Sequence, residues 1–252
     1  MIVVTLFYLL LGGVGIFLYQ IVMRRSVESE IRTIERLALF LARGEGDVAA
    51  IGRGVARRRL VQCVVFVAQM TTAPSTEVLR IVVKYYHLER YLVNHILSSR
   101  SASDRAYMLS QLARLPISIN TARAVEYLIE DSDADVSFYA LMTLFAAAPN
   151  MAVIRVANME HKLSRREVAE ILSMLSRGCC PIPYTPLLMS DNYNLQLLGI
   201  HLVRRFGIVE SRGEIICILR DRESELREDA LTTLATFGEM IQDNEHYKYH
   251  IV

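Results

Sequence analysis

Two adjacent thiols, Cys179 and Cys180 between Gly178 and Pro181, are the densest pairing of reactive side chains in the sequence. Side by side they would suit a redox pair or part of a metal site, but no nearby histidine and no CxxC spacing completes either. Cys63 and Cys217 lie in apolar helical runs, where cysteine packs as a small hydrophobe, and the whole set fits a reducing compartment. His87, Tyr91 and His95 recur at i, i+4 and i+8 and share one helix face. Two turns separate the histidines, twice the spacing of the usual helical metal pair, so this face reads as packed or at the solvent edge. Gly52 and Gly54 form a GxG without the preceding strand or the following Lys-Ser or Lys-Thr of a phosphate loop, and a bend or close helix crossing accounts for them. There is no HExxH and no GxSxG, and the scattered acids sit at turns and on polar faces where capping explains them. No catalytic residue, cofactor or metal is expected.

Charge is the other source of chemistry. The net charge over 252 residues is only +1, yet the stretch from Arg24 to Arg59 holds nine arginines against five acids. Arg24, Arg25, Arg53, Arg57, Arg58 and Arg59 are therefore candidates for contact with anionic lipid headgroups, each contributing about 1 kcal/mol near such a surface. The remainder is slightly acidic and the chain has no Trp, which argues against a nucleic-acid partner.

The elements that must position these residues are helical. Residues 2–23 carry no charge over a length that would cross a membrane, and Arg24 and Arg25 follow at once, so a single-pass anchor with a cytoplasmic C-terminal part is expected. Val27, Ile31, Ile34, Ala38 and Leu41 predict an amphipathic helix after it. Helices are likewise predicted from Asp47 to Met70 and, with Ser75 or Thr76 as N-cap, from Pro74 to Arg100.

Beyond residue 100 a repeat emerges. Leu226, Ala230 and Leu234 align with Leu195, Gly199 and Val203, with Val168, Leu172 and Ser176, with Val136, Ala140 and Leu144, and with Asp104, Met108 and Leu112. The central positions are spaced by 32, 32, 27 and 31 residues, a period that predicts paired helices in tandem. Small residues at Ala140, Gly199 and Ala230 suit close helix crossings, and Asp133 or Asp135, Asp191, and Asp221 or Ser224 suit turns and N-caps. On the last helix Arg227, Glu228 and Asp229 are expected to face water.

An acid, an aliphatic residue, a small residue four later and another aliphatic four after that, closing on Phe206-Gly207 and Phe237-Gly238, resembles the short HEAT repeats of bacterial proteins over roughly residues 88–238. To the helices read from the residues, an N-terminal transmembrane helix at 1–23, juxtamembrane helices and a cap or degenerate repeat at 24–87 and a capping tail at 239–252, the resemblance adds a right-handed HEAT-like α-solenoid of about five or six helical pairs at 88–238, so the expected chain is all-α. It implies a concave groove, lined by second helices, that holds proteins or peptides, with Arg105, Gln196, His201, Arg204 and Arg227 as candidate partner-binding residues. The expected function is a non-enzymatic scaffold or adaptor anchored in a bacterial inner membrane and binding a protein partner. HEAT-like folds also include alkylpurine DNA glycosylases and phycobilin lyases, so an enzyme acting on nucleic acid or a small molecule is the alternative, with anionic-lipid binding as another.

Overall fold

The computed structural model describes residues 27–43, 46–70, 73–178 and 182–238. Among these residues the protein is helical, with no strand. It divides between Ile117 and Ser118 into two compact units. Residue 88, where the repeats were expected to begin, is the first residue of a helix inside the first unit.

The first unit contains α1 over 27–43, α2 (Val48–Ile51), α3 (Arg57–Met70), α4 (Ala73–Tyr85), α5 (Leu88–Ser98) and α6 (Ala102–Leu112). Its core is aliphatic: Leu37, Leu60, Val64, Val82, Leu88, Leu92, Ile96, Leu109 and Leu112 are almost wholly removed from water. α1 is helical as expected but buries a neighbouring face. Thr33, Leu37 and Phe40 are inside, while Val27 and Ile31 are half exposed. A buried threonine is tolerated there because its hydroxyl donates to the Ser29 carbonyl at 2.8 Å, which frees the helix to turn its largest side chains inward. Tyr86 closes α2. Its hydroxyl donates to the Val48 and Ala49 carbonyls at 2.8 and 3.1 Å and accepts from the Gly52 N–H at 2.7 Å. A Cβ at Gly52 would meet the Tyr86 ring at 2.8 Å, so the first glycine of the GxG is a close approach to an aromatic ring.

The second unit contains α7 (Ile119–Val125), a 3₁₀ turn (Glu126–Glu130), α8 (Ala134–Ala147), α9 (Pro149–Ala157), α10 (Arg165–Gly178), α11 (Thr185–Leu188), α12 (Tyr193–Phe206), α13 (Arg212–Arg220) and α14 (Arg227–Thr236). α8 packs on α10, α10 on α12 and α12 on α14, while α11 covers α12 and α13 covers α14. The repeat positions Ala140, Leu172, Gly199 and Ala230 fall on α8, α10, α12 and α14, each buried. The short interval of 27 residues has a local cause: α11 is a single turn of four residues. Gly199 lets that turn approach, since a Cβ there would lie 3.0 Å from Leu187 Cβ and 3.1 Å from the Leu188 nitrogen. Asp133 caps α8 by accepting from Val136 N at 3.1 Å, as expected, but α12 is capped by Asn192 rather than Asp191. Ser224 and Asp221 hold the turn before α14 without capping it, accepting from the amides of Leu226 and Glu223.

One expectation is corrected. No helix among the described residues is long and apolar enough to cross a membrane. The longest described helix, α1, would rise about 25 Å, short of the ~30 Å hydrocarbon core, and it carries Glu28, Glu30, Arg32, Glu35 and Arg36. The anchor expected at 2–23 lies outside the described residues; among those described the all-α reading holds without a transmembrane helix, and no described helix supports the single-pass inner-membrane placement built on one.

Two substitutions test these contacts. Tyr86→Phe strands the Gly52 N–H and the end carbonyls of α2, and is expected to cost about 1–3 kcal/mol in urea unfolding. Gly199→Val forces α11 away from α12 and is expected to cost at least about 1–3 kcal/mol, with Gly199→Ala milder because alanine favours the helix.

Candidate functional site

The polar network of the second unit starts from a helix cap. Ser164 Oγ accepts from the Glu167 N–H at 3.2 Å and Glu167 Oε2 accepts from the Ser164 N–H at 2.7 Å, a reciprocal capping box at the start of α10. This fixes Arg165 in the first turn. Its guanidinium reaches α14 and grips Asp229 with two forks, Nε to Oδ1 at 3.0 Å and Nη2 to Oδ2 at 3.1 Å, while Nη2 also reaches Glu228 at 3.0 Å. His201, from the middle of α12, meets the same carboxylate through Nε2 at 3.1 Å. Arg204, one turn on, donates from Nη2 to His201 Nδ1 at 2.8 Å.

Arginine only donates, so His201 Nδ1 accepts and Nε2 carries the proton it gives to Asp229. The imidazole is accordingly neutral. Burial pushes its pKa down, the positive charge of Arg204 adds to that, and together they outweigh the upward pull of Asp229. For Asp229, burial favours the neutral acid, but hydrogen bonds from Arg165 and His201 and the charge of Arg165 overcome it and hold the carboxyl below its usual range. Arg165 is raised in turn, chiefly by its hydrogen bond to Asp229.

Above this network lies a groove of about 520 Å³, lined by Ala169, Leu172 and Ser173 of α10 and by His201, Arg204 and Arg205 of α12. Its floor is apolar at Leu172 and its wall is basic. Both ring nitrogens of His201 are spent on holding neighbours, so the histidine is placed to position Arg204 rather than to relay a proton.

Of the expected partner-binding residues, His201 and Arg204 come together here. Gln196 is used inside the fold, donating to the Leu188 carbonyl at 3.2 Å. Arg227 is exposed at the start of α14, outside the groove lining, and Arg105 lies on α6 in the first unit. Asp229, expected to face water, is instead 5% exposed, and Leu231 is the residue turned outward. The charge of Arg165 and the hydrogen bond of His201 make this burial affordable. Neither Arg165 nor Asp229 was singled out from sequence. Signals existed: Ser164 and Glu167 have capping-box spacing, and 229 falls at i+3 from Leu226 on the buried stripe that continues through Ala230, Thr233 and Leu234.

Among the arginines expected to meet lipid, Arg24 and Arg25 lie outside the described residues. Arg53, Arg57, Arg58 and Arg59 are exposed. Arg59 lies 3.7 Å from Glu30, and Arg58 is 5.9 Å from the centre of the Tyr107 ring. Cys179 and Cys180 also lie outside the described residues. Cys63 is buried, and burial, then the charge of Glu30, pushes its thiol up to about 11, which leaves it unreactive. Cys217 is exposed on α13. Among the described residues no group of three His, Cys, Asp or Glu side chains could hold a metal ion. No family model matches the chain, and no curated protein matches it.

The network makes stability depend on pH. Asp229, depressed in the fold, contributes above the ordinary carboxyl value of about 4 and loses that contribution as pH falls through its lower folded value. His201, also depressed, contributes fully above about 6.5 and loses its contribution as pH falls toward its folded value. The urea midpoint is therefore expected to fall below pH about 6.5, and His201→Gln should flatten the decline between about 6.5 and 5 relative to the parent chain.

Proposed function

We propose that the protein is a non-enzymatic adaptor whose second unit is a helical-repeat module that binds an acidic segment of a protein partner in the α10–α12 groove. The observation that carries this is the Asp229–His201–Arg204 relay: a buried carboxylate fixes a neutral imidazole, which fixes a half-exposed guanidinium at the groove wall. A guanidinium held this way has already lost side-chain freedom, so capturing a carboxylate costs less ordering entropy than it would at a mobile surface arginine. Arg205 beside it adds charge, and Leu172 gives an apolar contact for a neighbouring side chain. The stacking of α8, α10, α12 and α14 supports the helical-repeat reading, since each presents a second face beside the next. The proton arrangement of His201 weighs against catalysis, because a general base needs a free ring nitrogen.

A photo-crosslinking amino acid at Ser173 of the full chain, activated in its own cells, tests the reading. The expected result is a protein adduct mapped to an acidic stretch; the corresponding synthetic peptide should bind the parent chain and lose about tenfold affinity in Arg204→Gln. Absence of any protein adduct, or turnover of a small substrate lost on His201→Gln, would sink it.

A further inference from the structure

Several arginines of this protein pair with acids: Arg32 with Glu28, Arg80 with Glu77, Arg155 with Glu126 and Arg165 with Asp229. Arg57 and Arg90 are not among them. Among the described residues neither has a carboxylate partner, and both line one cavity of about 340 Å³ in the first unit. The other lining residues are His87, Tyr91, Asn94 and His95. None of the six is an acid, and each side chain can donate a hydrogen bond.

The sequence builds this donor set simply. Along α5, Leu88, Leu92 and Ile96 are buried, which leaves Arg90, Tyr91, Asn94 and His95, with His87 just before the helix, on another face of the same segment. Arg57 comes from the first residue of α3, which packs on α5. That end of α3 adds to the charge, because Ala56, which accepts from the Leu60 N–H at 3.0 Å, has no side chain to cap the first-turn amides. His87 holds φ 52°, a left-handed conformation that glycine would adopt at lower cost, and so an imidazole occupies a position that backbone preference alone would not assign to it. The rings of Tyr91 and His95 lie 4.7 Å apart, fixing that part of the wall.

We infer that this cavity is a binding site for a phosphate monoester dianion, either on a small soluble molecule or on a phosphorylated lipid headgroup. Two guanidinium forks supply paired donors for phosphate oxygens, and the dianion offers three strong acceptors, which matches a wall in which every side chain can donate and none is an acid. The volume is at the small end of the ~300–1,000 Å³ range of ligand sites, large enough for the phosphate and the group that bears it. The site lies in the first unit and stands independently of the groove between α10 and α12.

Inorganic phosphate titrated into the full chain at constant ionic strength, read by the ring-proton NMR signals of His87 and His95, is the first arm. Flotation with phosphatidylcholine vesicles containing phosphatidylinositol 4-phosphate, against phosphatidylserine vesicles of equal charge, is the second. Saturable shifts with free phosphate, about tenfold weaker in Arg57→Gln and in Arg90→Gln but unchanged in Arg53→Gln, support a soluble ligand. Flotation only with the phosphomonoester lipid, lost in the same two variants, supports the headgroup. No response in either arm, or equal weakening by Arg53→Gln, overturns the proposal. All three arginines are exposed, so the variants are expected to keep the parent's melting temperature, and Arg57→Lys separates loss of the fork from loss of charge.

Discussion

The second unit depends on one buried carboxylate. Asp229 is removed from water at the start of α14, where an ionised acid left alone would cost several kcal/mol. Arg165 on α10 and His201 on α12 both converge on it, so three helices that share no local sequence contact are tied at one point. The tie is directional as well as attractive. Apolar burial would accept α14 at several rotations about its axis, but a forked hydrogen bond from Arg165 and a single bond from His201 accept one. The surrounding cross-links act in the same sense: Asn194 bridges the loop before α10 through Leu163 and His161, and Lys162 meets Glu225 ahead of α14.

That constraint also decides what the adjacent groove can do. A histidine beside an aspartate suggests proton transfer until the second nitrogen is considered. Arg204 occupies it at 2.8 Å, and the consequence is a neutral, fixed ring and a fixed guanidinium. Polar residues that would be read as an acid–base pair thus become a support for a guanidinium at the groove wall. The first unit handles its cations in another way. Arg59 is set against Glu30 and Arg58 against Tyr107, whereas Arg57 and Arg90 line a cavity with no acid in its wall and have no carboxylate partner among the described residues.

Much of the helical pattern was legible in the residues themselves because it rests on local rules. Positions 108, 140, 172, 199 and 230 all fall on helices, Asp133 caps where its spacing says it should, and Gly52 and Gly199 both sit at close approaches. Capping, glycine tolerance and helical periodicity are properties of a few neighbouring residues, so the sequence carries them directly. Where the sequence reading went astray, a polar residue had been assumed to face solvent: Asp229 is inside, satisfied by two distant side chains.

The sequence by itself determined the helical character of the described residues and the placement of the repeat positions on helices, since both follow from hydrophobic spacing within a turn or two, but the break at His87 inside the helix predicted over 74–100 was not in the pattern. It also marked His201 and Arg204 as residues of interest without indicating what held them. Only the tertiary structure decided that Arg165 and Asp229, 64 residues apart, would meet, and that Arg57 would join His87, Arg90 and His95 at one cavity. The physical reason is the same in both cases. Whether a charged group is buried, paired or left open depends on which distant side chain reaches it, and helix periodicity carries no information about that partner.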